Sequence, residues 1–247
     1  MPAPRPPTRP SLASPAPRDQ LALDLLRAQQ PTFDNFVPGR SRDAVEALRR
    51  LARGERLETI VYLWGEPGSG RSHLLQALAT APDASLWQPD QPPEQPGLSL
   101  VDDVDALDEA AQIALFNRLN AVRAQPGCAC VAVGRVAPSR LALREDLRTR
   151  LGWGLVFQLH PLTDDEKAGA LRAHAAATGL ALPEDVLAYL LGRFPRDMRT
   201  LVAALDALDA YALARKRPLT LALLRDWLGT RAPADPASAP GGRPPHP

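Results

Sequence analysis

Cysteine is scarce in this chain. Of 247 residues only Cys128 and Cys130 are cysteines, both inside the apolar run 128–134. A disulfide framework is therefore unsupported, and a reducing cytosol is the expected setting. A CxC pair can ligate a metal, but no companion ligands stand near it in the sequence, so no metal site is read there. Long apolar runs are missing as well. No stretch of eighteen uncharged apolar residues occurs, and proline and arginine interrupt the first residues, where an export signal needs a continuous apolar segment. The expectation is a cytoplasmic protein with no membrane partner. An excess of charge of one sign is the third lack. The whole chain carries +1; residues 1–19 contribute +2 and residues 230–247 contribute +1, which leaves −2 for residues 20–229. Such a body is not a strongly basic nucleic-acid binder.

Proline, by contrast, is abundant and uneven. Residues 1–19 hold seven of the 27 prolines and residues 230–247 hold six. Segments of this composition bury too little apolar surface to offset their ordering entropy, so both ends are expected to be disordered.

Between those ends, β-like runs at 59–64, 84–88, 98–103, 128–134 and 155–159 alternate with helical patterns at 41–53, 71–80 and 108–124. Apolar strands separated by helices predict an α/β fold, a five-stranded parallel sheet flanked by helices, over residues 26–160. Strand signals stop after Leu159. Thr163 with Glu166 forms a capping box for a helix ending near Gly179; Pro183 suits the first turn of the next, Pro195 precedes another, and residues 220–228 close the set. A small all-helical domain over residues 161–229 follows from this pattern.

The stretch Leu63 to Leu75, LWGEPGSGRSHLL, lies between a β-run and a helical one. Gly65, Gly68 and Gly70 let a loop turn its N–H groups inward around phosphate oxygens, with the next helix adding its dipole. Ser72 stands where a hydroxyl ligates Mg²⁺. Arg71 stands where lysine is usual; it keeps the charge but is planar, larger and differently hydrated, so nucleotide binding is expected to survive and self-hydrolysis to be weak. With Ser69 and His73, these residues are the candidate nucleotide-binding set. The run LSLVDD carries Asp102 to the carboxyl edge of the sheet, where it can serve Mg²⁺, and Asp103 follows as a water-activating carboxylate one methylene shorter than glutamate. Arg148 and Arg150 stand in an arginine-rich loop before the last β-run, and Arg196 and Arg199 at the start of a helix. A guanidinium offered in trans can neutralise charge that develops in phosphoryl transfer, an effect of about 10³ to 10⁵ in rate.

In this order the motifs TFDNFVPG (32–39), the P-loop, LSLVDD, TRLGWG (149–154) and RDMRTL (196–201) resemble the AAA+ family, in its branch related to the bacterial replication initiator DnaA. The resemblance spans residues 20–228. It implies bound ADP or ATP with Mg²⁺ held through Ser72 and Asp102, Arg150 as a trans arginine finger, Asp103 as a vestigial base, and Arg196 as the lid arginine that senses nucleotide. DnaA continues into a helix-turn-helix domain, whereas only a Pro-rich tail follows Trp227, so origin recognition is not expected. QLALDL, Gln20 to Leu25, is similar to the short peptides by which replication proteins dock on the sliding clamp of DNA polymerase III, with Gln20, Leu21, Leu23 and Leu25 filling pockets. The resemblance therefore implies a clamp-docked negative regulator that makes DnaA hydrolyse its ATP, contacting DNA indirectly through the clamp and associated with the nucleoid by that route; self-association is left open. Two alternatives share the motifs: an autonomous AAA+ ATPase that loads or remodels, and a nucleotide-binding DnaA adaptor independent of the clamp. Departures from the family pattern are the short proline-rich stretch before LSLVDD and Arg135 at the apparent sensor position.

Overall fold

The computed structural model describes residues 30–195 and 197–229. The arm 1–19, the peptide Gln20–Leu25, Arg196 and the tail 230–247 lie outside the described residues.

Helix α1 (Arg42–Ala52) leads into β1 (Ile60–Gly65), α2 (Arg71–Leu78), β2 (Ala84–Leu86), β3 (Leu98–Val101), α3 (Glu109–Ala124), β4 (Ala129–Gly134), α4 (Glu145–Leu151) and β5 (Leu155–Leu159). The strands form one sheet in the order β2-β3-β4-β1-β5, every neighbouring pair parallel. Alternation along each strand fills two cores. Val61, Leu63, Leu98, Leu100, Val131 and Val133 face Leu48, Leu74 and Leu78 of α1 and α2, while Ile60, Tyr62, Cys130 and Ala132 face Leu115, Leu119 and Leu147 of α3 and α4. Both faces are thus covered, which is why the strands read as near-continuous apolar runs. Burial pushes the Cys130 thiol up to about 12, so it behaves as a small core hydrophobe.

The proline-rich stretch after β2 is tied to the sheet by a buried side chain as well as by its own turns. Arg118 of α3 donates from Nε to Ser99 Oγ at 2.9 Å and from Nη1 to the Pro93 carbonyl at 2.6 Å. That bond replaces secondary structure in a segment whose prolines cannot donate to a ladder.

After β5 the chain is helical: α5 (Asp164–Ala177), α6 (Glu184–Arg193), α7 (Met198–Arg215) and α8 (Leu221–Gly229). Leu171, Leu190, Leu205, Leu208, Leu224 and Trp227 form their separate core. Both halves of the expected capping box are made, Glu166 N donating to Thr163 Oγ1 at 3.2 Å and Thr163 N to Glu166 Oε2 at 2.8 Å. Pro183 caps α6 rather than sitting inside it, a boundary shift of the usual size. Among the described residues no helix is long and apolar enough to cross a membrane.

One stretch differs from the sequence reading. Residues 145–151, read as an arginine-rich loop, form α4. Leu147 and Leu151, four residues apart, anchor it in the sheet core, and Glu145 and Asp146 in its first turn with Arg148 and Arg150 in its last complement its dipole. Two turns give too short a window for a periodic signal.

Candidate functional site

Strand β1 delivers the chain to Gly65 and α2 carries it away from Arg71, leaving residues 66–70 to turn between them at the carboxyl edge of the sheet. Gly70 adopts φ +90°, and a Cβ there would stand 2.5 Å from the Phe36 ring, so glycine is what lets the loop pass beneath that ring. Helix α2 begins without a side-chain cap. Its first amides and the positive end of its dipole are therefore available to an anion.

Above the loop lies a cavity of about 440 Å³, a size suited to a small-molecule ligand. Asn35, Phe36 and Val37 wall one side; Gly68, Ser69, Gly70, Ser72 and His73 form its floor; Leu162, Lys167 and His174 from the helical domain, with Met198 and Arg199 at the start of α7, form the roof. The TFDNFV segment is tied into this wall by a closed turn. Thr32 N donates to Asn35 Oδ1 at 2.8 Å and Asn35 N to Thr32 Oγ1 at 3.2 Å. His73 Nε2 lies 2.9 Å from the Thr32 carbonyl, and its ring is 5.3 Å from that of Phe36. Burial holds the His73 imidazole below its ordinary range; the Thr32 carbonyl works against that shift, and the charge of Arg199 adds to it. Arg199 of the lid thus acts electrostatically on the P-loop helix.

Other expected residues stand elsewhere. Gly65 lies at the end of β1, outside the cavity lining. Arg71 turns away from the cavity, its Nη1 donating to the Gly134 carbonyl at the end of β4 at 2.6 Å. Asp102 follows β3, exposed, and accepts from Asp103 N at 2.9 Å. Asp103 sits in the left-handed region (φ 45°), and its carboxylate is 3.5 Å from Arg135 Nη2. Arg135 N in turn donates to Asp105 Oδ2 at 2.7 Å, so the ends of β3 and β4 are laced together. Arg150 on α4 does not line the cavity; its guanidinium stacks 4.0 Å from the centroid of the Trp153 ring and 5.4 Å from that of Phe116.

Sequence reasoning missed the roof residues Leu162, Lys167, His174 and Met198. Lys167, 8% exposed, has its ammonium 3.2 Å from Asp164, and His174 Nε2 lies 2.5 Å from Asp206 Oδ1. Their i, i+7 spacing on α5 is a signal, but which face of α5 meets the P-loop is not readable locally. Among the described residues, no three His, Cys, Asp or Glu side chains are grouped as metal ligands.

Comparison with known proteins fits this geometry. Residues 164–228 match the family model for the lid domain of Hda. The fold is similar to the crystal structure of domain III of the Thermotoga maritima replication initiation protein DnaA, at 24% identity, TM-score 0.61, covering 81% of this chain and 98% of that one. It is also similar to AMPPCP-bound DnaA from Aquifex aeolicus, at 20% identity, TM-score 0.61, covering 75% and 67%. A Thermotoga maritima RuvB variant shares it at 16% identity, TM-score 0.53, covering 76% and 67%, so fold alone does not choose a function. Residues 164–228 thus match the Hda lid-domain model, and the chain carries the fold of DnaA domain III.

Proposed function

We propose that this chain is a DnaA-related regulator of replication that binds a nucleotide in the P-loop cavity, docks on the sliding clamp through Gln20 to Leu25, and stimulates ATP hydrolysis by DnaA in trans. The observation that carries the reading is the separation of its parts: Arg71 and Asp103, the P-loop cation and the water-activating carboxylate that hydrolysis in place would need, are engaged away from the cavity, while Arg150 does not line it. Arg71 bonds the Gly134 carbonyl and Asp103 faces Arg135. A site so arranged holds a ligand more readily than it turns one over.

In this mechanism the loop amides of Gly68 to Gly70 and the start of α2 receive the phosphates of ADP or ATP. Ser72 and Asp102 offer hard oxygen donors of the kind that Mg²⁺ takes together with phosphate oxygens, so they fit the ion and would hold it. Phe36, Val37 and Leu162 offer apolar surface to the base, and Arg199 supplies lid charge over the phosphates; Arg196, outside the described residues, keeps the nucleotide-sensing role that the resemblance implies. The bound nucleotide then couples the helical domain to the sheet domain, and Arg150 meets the triphosphate held by DnaA.

The test is turnover of ATP pre-bound to DnaA in the presence of DNA-loaded clamp. Acceleration by the wild type, lost in Arg150→Ala and in Gln20→Ala, supports the reading. Turnover by the chain alone, without effect on DnaA, would favour an autonomous ATPase; stimulation that survives Gln20→Ala would favour an adaptor that does not need the clamp.

A further inference from the structure

Folding alone does not explain Trp153. Its indole is 54% exposed, whereas Trp87 and Trp227 are 8% and 3% exposed. Local geometry holds it outside. Trp153 N donates to the Arg150 carbonyl at 3.2 Å in the closing turn of α4, which sets the indole beside the side chain three residues earlier. Gly154 then passes so near β1 that a Cβ would collide with the Ile60 carbonyl, so the path into β5 is fixed immediately after the indole.

Two cations share that ring. The Arg150 guanidinium lies 4.0 Å from the centroid and that of Arg123, in the last turn of α3, 4.8 Å. Phe116 of α3 lies 5.4 Å from Arg150. Among the described residues neither arginine forms an ion pair. Stacking occupies the face of a guanidinium and leaves its in-plane N–H donors free, and those are the groups that grip a phosphate or carboxylate.

We infer that Trp153 is a positioning residue: its indole, with Phe116, holds the Arg150 guanidinium in an outward pose whose N–H edge is ready for an anionic group on a partner protein. The inference rests on the role given to Arg150 above and extends it to a residue that need not touch the nucleotide. An unsupported arginine samples many rotamers and must be ordered when the complex reacts; a stacked one has lost that freedom beforehand. Arg123 beside the same ring contributes a second uncompensated charge that favours an anionic partner surface.

The experiment measures ATP turnover by DnaA with loaded clamp while this protein is titrated, comparing wild type, Trp153→Ala, Trp153→Leu, Trp153→Tyr, Arg150→Ala and the Trp153→Ala/Arg150→Ala double variant. Trp153→Ala should lower the maximal stimulated rate about tenfold with little change in the half-saturating concentration. Trp153→Leu, which keeps apolar bulk without a π face, should do the same and serves if the alanine variant loses stability. Trp153→Tyr should restore most of the rate, and the double variant should be no slower than Arg150→Ala alone, because both act through one group. A wild-type rate in both Trp153→Ala and Trp153→Leu, a loss confined to the half-saturating concentration, or a double variant clearly slower than Arg150→Ala overturns the inference. A wild type that leaves DnaA unaffected overturns the function proposed above, and with it the use assigned to Trp153; that failure shows before any variant is compared.

Discussion

The P-loop cavity and the ledge around Arg150 belong to opposite helical layers of one sheet, and they are built by opposite means. The cavity is floored by backbone amides and small residues, walled by a locked turn at Thr32 to Asn35, and roofed by α5 and α7. The ledge is all side chain: an exposed indole carrying two guanidiniums that form no ion pair among the described residues. A site meant for a resident ligand gains from enclosure, since removal of water strengthens each polar contact. A group meant for another molecule must stay at the surface, and its precision then has to come from its neighbours. Arg71 and Arg150 show the same contrast within one residue type, the first engaged with a backbone carbonyl and the second stacked on an indole with no ion pair among the described residues.

The strongest break in this comparison is Arg150→Ala. DnaA turnover stimulated by this protein should fall by about 10³-fold or more, while calorimetric titration of ADP into the variant matches wild type. A matching loss of ADP affinity would place Arg150 in the cavity after all. Acting on the other region, Gly70→Ala forces a side chain into the left-handed backbone region and against Phe36. It should cost about 1–2 kcal/mol in urea unfolding and weaken nucleotide binding. An unchanged midpoint would remove the steric account of that glycine.

A smaller effect is expected at the roof. Thr163→Ala removes the hydroxyl half of the α5 capping box and should cost about 1 kcal/mol, read as a lower midpoint for the helical domain. Smallest is a pH effect at the cavity wall. The folded protein holds His73 below its ordinary value of 6.5, so the unfolded chain binds the proton more readily. The stability this neutral imidazole contributes is present above the unfolded value and is lost as pH falls through the folded one. His73→Gln should flatten stability against pH in that interval; a variant with the wild-type slope would assign the titration to another group.

Much of the architecture was legible in sequence because it is locally encoded. Alternating apolar runs predicted each strand to within a few residues; the Thr163 and Glu166 spacing predicted the start of α5; and the glycines of the P-loop, between a strand and a helix, predicted the turn that receives α2. The helix carrying Arg150 was not legible, since two turns leave almost no periodic signal.

The remaining decisions belonged to contacts between distant segments. Strand order placed β4 beside β1, and only that neighbourhood gives Arg71 the Gly134 carbonyl, 63 residues away in sequence, as its acceptor. Packing of α5 and α7 over the P-loop selected Lys167, His174 and Arg199 for the roof, and the crossing of α3 with α4 brought Arg123 and Phe116 to the Trp153 and Arg150 ledge. Residue identity and spacing dictate which local conformations a segment can adopt. Which charged groups meet is decided when the hydrophobic faces of those segments are buried together, because burial is non-directional along the chain and sets the neighbours of every polar group it carries with it.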